Sequence, residues 1–376
     1  MRVARILYIY ILICILMILI NIFFIIASKM YPHLIHIYSI HFYNRLISSL
    51  NTYEKKGRVG WFTEFKLRHT LNRTFMLMAF SHFLDNLSEE EYKRAMNMFN
   101  KEFHNIYEIS AKFLKQRPQK VAYFLNVMYK NDICSARPDD RILDVIKMYL
   151  YMPSIYCRYY AMLILYGTGE VRHVIEGIYI LNKNSAYTHE RVLSVGLQNF
   201  KGDKNEMLKA LLDEFYKFKP WIQEAICNYA LTVNGDYKKE MFKFLKDETL
   251  TDSVHILCIE YLGKYPYNEA FTYLVDCVRN KDKRRWKYAE YSAKYLFAYP
   301  CAETIYALKE AVFSDSWNVR INAAGSLEKL GLEYNDLLDI FNGNDRYAMD
   351  IMQYFLDVRK LRKCEYAGGM LNDGSL

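Results

Sequence analysis

With 376 residues, of which 24% are charged and 52% hydrophobic, the chain can form two ordinary domains or one elongated array. Its formal net charge of +8 is mild for this length and favours an anionic partner, such as a phospholipid surface or a nucleic acid, without identifying one. The 8 cysteines are scattered and include no CxxC pair, which excludes a zinc framework and a dithiol redox motif. The 34 tyrosines could form an aromatic surface, but a compositional bias shared with Ile, Lys and Asn explains them more simply.

An apolar segment at the N-terminus predicts a membrane anchor. Residues Ile6 to Ser28 contain no charged side chain and lie between Arg5 and Lys29. As a helix with about 1.5 Å rise per residue, this segment is roughly 34 Å long and can cross a hydrocarbon core of about 30 Å. A cleaved signal peptide has a shorter apolar core, of roughly 7 to 15 residues, and small residues at the cleavage site. We therefore expect residues 1–30 to form an uncleaved, single-pass transmembrane anchor.

The charges beside the anchor indicate its orientation. Arg2 and Arg5 before it balance Lys29 and Arg45 after it. A wider window adds the juxtamembrane basic residues and favours a cytoplasmic body at the cell membrane; these residues are Lys55, Lys56 and Arg58. Unpaired cysteines at small-residue positions, 227 and 258, agree with a reducing compartment.

Residues 31–115 show no clear repeat, and we expect a helical stalk or an N-terminal cap there. Ser88 precedes three glutamates and an apolar-periodic run, so Ser88 can cap a helix while Glu91 reaches back to it. This capping box predicts a helix that opens after Ser88 and continues to about Leu114.

The remaining body is predicted to be all-α. From about Leu71 to Leu361, apolar residues recur at i, i+3, i+4 and i+7, and no stretch alternates with period two. Prolines recur tens of residues apart, and each is expected between helices because a proline inside a helix costs about 3 kcal/mol or more. Their positions are 118, 138, 153, 220, 266 and 300. Such spacing indicates an internal repeat.

The clearest copy of this repeat is the segment 315–331. Three apolar residues spaced by four share one helix face, and a small pair among them lets a neighbouring helix approach closely. An acidic residue opens the copy, and an arginine lies beside the apolar face. These repeat-structural residues are Asp315, Val319, Arg320, Ala323, Ala324 and Leu327. Their order resembles the second helix of a HEAT repeat.

The same template fits upstream positions at nearly equal steps. Its first apolar position recurs at 157, 192, 222, 254, 288 and 319, which are 35, 30, 32, 34 and 31 residues apart. With weaker copies near Val121 and Ala348, the resemblance implies a HEAT-like α-solenoid of about six to eight helix pairs over residues 116–362, followed by a flexible tail at 363–376. The arginine of the pattern is present only at Arg158 and Arg320, so no continuous Asp/Arg ladder is expected.

Motifs of catalysis or cofactor binding are absent from the sequence. The chain has no GxxxxGK[ST] phosphate loop, no HExxH and no GxSxG, and we expect no catalytic residue, cofactor or metal site. His33 and His36 could bind a metal from one helix face, but no third ligand is nearby. The competing hypothesis is an enzyme or binder for a lipid-linked or nucleic-acid substrate in the solenoid concavity, with carboxylates such as Glu224 and Glu260.

The strongest local charge signal is a basic run between residues 279 and 287. Six cations surround one aspartate and one tryptophan, and they could dock the phosphates of an anionic membrane surface. A solvated turn between helices is the competing interpretation. The candidate residues are Arg279, Lys281, Lys283, Arg284, Arg285, Trp286 and Lys287. The juxtamembrane basic residues could act in the same way nearer the anchor.

The expected function is that of a membrane-tethered, noncatalytic scaffold or adaptor. Solenoids present extended concave faces, which suit a protein partner better than they suit enclosing a small substrate. The resemblance to membrane-anchored bacterial HEAT-repeat proteins implies a partner among membrane glycosyltransferases or other envelope machinery. Contact with anionic lipid is a further expectation, whereas the anchor argues against nucleic acid.

Overall fold

The computed structural model describes residues 2–56, 73–102, 106–132, 140–184 and 189–372. Throughout these ranges every regular element is a helix, so the all-α prediction is confirmed. The chain folds into two compact units: unit 1 comprises Met1–Tyr187 and Asn199–Gly202, and unit 2 comprises Thr188–Gln198 and Asp203–Leu376.

The helices of unit 1 are α1 (Arg2–Lys56), α2 (Thr74–Asp85), α3 (Glu89–Glu102), α4 (Ile106–Phe113), α5 (Pro118–Lys130), α6 (Asp140–Met148), α7 (Ile155–Gly167) and α8 (Val171–Lys183). Those of unit 2 are α9 (Glu190–Gln198), α10 (Lys204–Asp213), α11 (Pro220–Val233), α12 (Lys238–Leu245), α13 (Asp252–Lys264), α14 (Phe271–Arg279), α15 (Trp286–Tyr295), α16 (Ala302–Ala311), α17 (Trp317–Lys329), α18 (Leu338–Phe341) and α19 (Arg346–Asn372). α19 thus carries helical backbone into the segment predicted as a tail.

α1 is longer than the predicted anchor. Its stretch Tyr10–Arg45 is long and apolar enough to cross a membrane, as the anchor prediction requires. Within that stretch, Lys29 is the only charged residue before its final arginine. A bilayer needs about 20 apolar residues, so the stretch exceeds one crossing. The helix continues to Lys56 and contains Pro32 in its interior.

The end of this apolar stretch packs against α2. The rings of Tyr31 and Tyr38 meet Phe75 edge-on, with centroids 5.5 and 5.3 Å apart. Phe42 meets Phe80 at 6.0 Å, and both of these rings are buried. The part of α1 that follows the predicted anchor therefore contributes to the core of unit 1.

The capping box predicted at the start of α3 is confirmed. The backbone N–H of Ser88 donates to the Glu91 carboxylate at 3.1 Å, and the N–H of Glu91 donates to the Ser88 hydroxyl at 3.4 Å. The single helix predicted to continue to about Leu114 is described as α3 and α4, and residues 103–105 between them lie outside the described residues.

Prolines mark helix starts and breaks. Pro118 is the first residue of α5 and Pro220 is the first residue of α11, where the missing N–H has no intrahelical partner to lose. Pro153, Pro266 and Pro300 lie between helices, as predicted. Position 138 lies outside the described residues.

Unit 2 is built from successive helix pairs. Its layer helices, α9, α11, α13, α15, α17 and α19, each pack against the next, and α10, α12, α14 and α16 each pack against the helix that follows. In unit 1, α5 packs against α7, and α6 packs against α7. Every copy of the sequence repeat falls on α5, α7 or one of the layer helices, so the regular steps in sequence correspond to regular helix pairs.

Small residues let these helices approach closely. The second and third positions of the repeat are buried in each strong copy, for example at Ala161-Met162 and Ala323-Ala324. The first apolar position is also buried, except at Val192, which is half-buried. Gly263 on α13 also allows a close approach, because a Cβ there would overlap the Cβ and Cγ atoms of Tyr295 on α15.

Candidate functional site

A cleft of about 720 Å³ opens between two adjacent helix pairs of unit 2. It lies at the end of α14, along the turn to α15, beside α16 and at the turn that precedes α17. Ligand pockets are typically about 300–1,000 Å³ in volume, so the cleft is large enough to hold one. Its apolar lining consists of Val278, Trp286, Ala307, Ala311 and Phe313. Part of the basic run predicted from the sequence lines the same cleft.

The turn from α14 to α15 has a defined local structure. α14 ends at Arg279, and the side-chain oxygen of Asn280 accepts a hydrogen bond from the Asp282 N–H at 2.8 Å. The Asp282 carbonyl accepts from the Arg285 N–H at 2.9 Å, which closes the 3₁₀ turn Lys283–Arg285. Asn favours such turns because its side chain bonds the backbone two residues on. The basic side chains thus project from an ordered backbone.

Arg279 is already paired inside the cleft wall. Its guanidinium contacts Glu310 at 3.2 Å and Glu303 at 3.4 Å, and it lies 5.8 Å from the centroid of the Tyr306 ring. Because α16 supplies both glutamates and the tyrosine, Arg279 joins α14 to α16. The first cation of the predicted anionic-surface patch therefore has a structural contact that competes with any ligand.

The other described cations of the run have no carboxylate partner among the residues that the structure describes. The Lys283 ammonium lies 5.6 Å from the centroid of the Trp286 ring, and Lys281 lines the cleft. The side chain of Arg284 lies outside the described residues. Lys281 and Lys283, which lies beside the cleft residue Trp286, form what we call the basic rim. Arg285 and Lys287 are also exposed but do not belong to the described lining of the cleft.

Charges of both signs line the cleft. Glu310 and Asp315 lie on its wall together with Arg279 and Lys281. An inorganic phosphate that entered would meet carboxylates as well as cations, whereas built phosphate sites gather several donors around the anion. The lining better suits a ligand that carries an acidic group, hydrogen-bond donors and an apolar group.

The two arginines of the repeat pattern make equivalent backbone contacts. Arg158 is buried, and its Nη1 donates to the carbonyl of Met152 at 2.9 Å. Nε of Arg320 donates to the carbonyl of Ser314, which also lies six residues before its arginine. Each arginine therefore ties the turn before its helix to the helix itself. Arg320 also pairs with Asp345, at the start of α19, at 2.7 Å.

The other repeat-structural residues divide into core and surface. On α17, four of them are at most 1% exposed: Val319, Ala323, Ala324 and Leu327. Asp315 is exposed and lines the cleft. The N-cap of α17 is instead Ser316, whose side chain makes no capping hydrogen bond. The acidic residue of the repeat pattern thus faces space that a ligand can enter.

The carboxylates of the competing enzyme hypothesis make separate contacts. Burial, followed by the nearby Glu190 carboxylate, raises the pKa of Glu224, which accepts a hydrogen bond from Thr251 at 3.3 Å. Glu260 on α13 accepts one from the Tyr295 hydroxyl at 2.8 Å. Neither belongs to the described lining of the cleft. A raised carboxyl pKa is a property that acid–base catalysts use, so Glu224 is the stronger of the two candidates.

Two further sequence candidates lie on α1. Lys55 and Lys56 end this helix, but their side chains and all of Arg58 lie outside the described residues, so the juxtamembrane patch stays a prediction. The ring of His36 meets that of His82 edge-on, with centroids 5.7 Å apart. In the described part of the chain, no group of three metal-binding side chains converges.

Tyrosine hydroxyls join neighbouring helix pairs of unit 2, which the sequence pattern did not predict. Tyr299 is buried, donates to the Leu262 carbonyl at 2.8 Å and accepts from the Tyr267 N–H at 3.1 Å. Tyr261 makes the same two kinds of bond one helix pair earlier. The high tyrosine count was the available signal, and these bonds give part of it a structural role.

No protein-family model matches the chain, and no curated protein is similar to it.

Proposed function

We propose that the protein is a membrane-tethered, noncatalytic adaptor that holds a partner protein at the bilayer through unit 2. The observation that carries this proposal is the open cleft between two helix pairs, with aromatic, basic and acidic side chains on one surface. Protein interfaces are enriched in aromatic residues and arginine, and their polar rims remain accessible to water. The apolar stretch of α1 supplies the tether.

The layered helix pairs of unit 2 support a relation to HEAT repeats, which we include in this proposal. Extended faces of such arrays suit a macromolecular partner. Following the resemblance, we propose an envelope enzyme such as a membrane glycosyltransferase as the partner class. We assign the body to the cytoplasmic side because cations accumulate in the sequence after the anchor.

The adaptor proposal is tested by affinity purification of the full chain from its native membranes in mild detergent, with quantitative mass spectrometry. An unrelated single-pass protein with the same tag is the control. We expect one or a few membrane proteins to be enriched with the chain and to be retained after transfer into lipid nanodiscs. Recovery of the chain alone, at a protein excess that saturates the resin, would contradict an adaptor.

Glu224 supports a second candidate function, an enzyme for a lipid-linked or nucleic-acid substrate. Its pKa is raised by burial and by the Glu190 carboxylate. Nδ1 of His189 lies 3.2 Å from Oε2 of Glu190. If this group is an acid–base catalyst, Glu224→Gln should abolish turnover of a lipid-linked glycan precursor supplied to the full chain. Absence of turnover in the wild-type protein removes the candidate.

A further inference from the structure

The cleft and its basic rim define the chemistry of the segment that fits them. We propose that they bind a short polypeptide segment of a partner in which an acidic residue stands beside an aromatic or aliphatic one. This inference rests on the proposed function and deepens it by naming what the adaptor recognises. It also separates a protein ligand from the anionic lipid surface that the sequence suggested.

The cations available to a ligand lie on the rim. Arg279 is held by Glu303 and Glu310, whereas Lys281 and Lys283 have no carboxylate partner in the described part of the chain. An acidic side chain placed on the rim gains charge-assisted contacts without displacing an existing ion pair. Deep in the cleft the same anion would face Glu310, so the rim is where the acidic residue fits.

Apolar surface lies beside those lysines. Trp286 and Phe313 both line the cleft, and Phe313 is 40% exposed. Burying an aromatic or aliphatic side chain against them removes apolar area from water, at roughly 25 cal/mol per Å². A simple polyanion or inorganic phosphate has no group that uses this surface. The apolar lining therefore favours a ligand with an apolar side chain close to its acidic one.

The cleft carboxylates supply the third element of recognition. Glu310 and Asp315 are hydrogen-bond acceptors on the wall, and a polypeptide brings a backbone N–H at almost every residue. A phospholipid phosphate brings acceptors only and donates no hydrogen bond to either carboxylate. A peptide can therefore use all three features of the cleft: its backbone N–H groups bind the carboxylates, its acidic side chain binds the rim lysines, and its apolar side chain packs on the aromatic rings.

The test uses the full chain in nanodiscs of phosphatidylcholine, which leaves the cleft free of anionic lipid. A displayed library of random dodecapeptides is selected on the wild-type protein and, in parallel, on the double variant Lys281→Glu/Lys283→Glu. We expect the wild type to enrich peptides with Asp or Glu beside aromatic or aliphatic residues, and the rim variant to lose that enrichment. Enrichment without such a pattern, equal enrichment on both proteins, or no enrichment would overturn the proposal.

The best enriched peptide is then synthesised with a fluorescent label and its affinity is measured by polarisation. We expect Lys281→Glu/Lys283→Glu to weaken binding by about tenfold or more, since about 1.4 kcal/mol corresponds to a factor of ten. Phe313→Ser should lower the affinity for peptides that contain an aromatic residue. It should leave unchanged the affinity for peptides in which that residue is replaced by serine. The matched control, Lys209→Glu/Lys239→Glu, reverses two exposed lysines of unit 2 outside the cleft and should leave affinity within about twofold.

A competition experiment with lipid vesicles distinguishes an acidic peptide from an anionic membrane surface as the ligand of the rim. Vesicles that contain phosphatidylglycerol should not displace the peptide, whereas displacement at equal accessible charge would assign the rim to lipid and overturn the proposal. If a partner is purified with the full chain and Lys281→Glu/Lys283→Glu retains it, the peptide site is wrong and the adaptor stands. If no partner is purified, the adaptor fails.

Discussion

Arg320 and Asp345 form an ion pair of 2.7 Å that links α17 to the start of α19, and both side chains are largely shielded from water. We predict a coupling energy of about 1–3 kcal/mol between Arg320→Ala and Asp345→Ala in a double-mutant cycle of unfolding free energy. The matched control is the exposed pair Arg346–Asp350, at 3.7 Å, for which a coupling below about 0.5 kcal/mol is expected. Equal coupling in the two cycles would show that shielding from water does not strengthen the first pair.

The same aspartate predicts a pH dependence of stability. Burial alone would raise the pKa of Asp345, but hydrogen bonds from the Ala348 N–H and the Arg320 guanidinium hold it below its ordinary value of 3.8. A carboxyl with a lower pKa in the folded state stabilises the fold above the unfolded pKa, and this contribution is lost as the pH falls through the folded value. We expect Asp345→Asn to lower the thermal midpoint near pH 6. The difference from the wild type should shrink as the pH drops below about 4.

Gly263 lies where two layer helices approach closely, so Gly263→Ala sets the gain in helix propensity against the cost of overpacking. Alanine would gain about 1 kcal/mol in helix propensity, but its Cβ would overlap Tyr295 atoms next to the backbone, which cannot swing aside. Overpacking typically costs about 1–3 kcal/mol, so we predict that Gly263→Ala is destabilising. In Gly325→Ala the new Cβ would lie 3.2 Å from the outer edge of the Phe355 ring, a side chain that is only half-buried. This control should be close to neutral in the same urea titration.

Tyr299→Phe removes one hydroxyl and with it the partner of two backbone groups, the buried Leu262 carbonyl and the partly buried Tyr267 N–H. We predict a loss of about 1–3 kcal/mol in unfolding free energy, since unsatisfied buried polar groups cost about that much. Tyr306→Phe, at a residue that is 60% exposed, should change stability by less than about 0.5 kcal/mol. A Tyr299→Phe protein as stable as this control would mean that water replaces the lost bonds.

Two cysteines of unit 2 are predicted to differ in reactivity. A hydrogen bond with Thr304 lowers the pKa of the exposed Cys301 thiol, whereas burial raises the pKa of Cys277 to about 11. Because the thiolate is the nucleophile, iodoacetamide at pH 7.5 should alkylate Cys301 at least about tenfold faster than Cys277, even though a thiolate of higher pKa is intrinsically more nucleophilic. Peptide mass spectrometry over a time course gives both rates. Comparable rates in the folded protein would contradict the raised pKa of Cys277.

The repeat could be predicted from the sequence because its signal is local. Small residues next to apolar ones, as at Ala323-Ala324, recur wherever one helix must approach the next, and that requirement is the same in each helix pair. The helix starts at Ser88 and Pro118 were also predictable, since caps and N1 prolines act within one turn.

The cleft could not be predicted, because its properties depend on contacts distant in sequence. Six clustered cations predicted a basic patch. In the structure, however, Glu303 and Glu310 of α16 pair with Arg279, which is therefore not available to a ligand. Phe313 reaches the same cleft as Trp286 only through the packing of adjacent helix pairs. Periodicity identifies which face of a helix is buried, and it does not specify which side chains meet between helices.

Because α1 is continuous, the proposed membrane tether would couple unit 1 to the thickness of the bilayer. The helix runs without a linker from Arg2 to Lys56, and Tyr31, just past the predicted anchor, already contacts Phe75 of α2. A helix whose apolar length exceeds the bilayer tilts, so a membrane-spanning α1 would turn unit 1 with it, except for bending at Pro32, where a backbone hydrogen bond is missing. Oriented circular dichroism in lipids of increasing chain length would reveal that rotation, or its absence. On the proposed topology, bilayer thickness would therefore set the angle between unit 1 and the membrane surface.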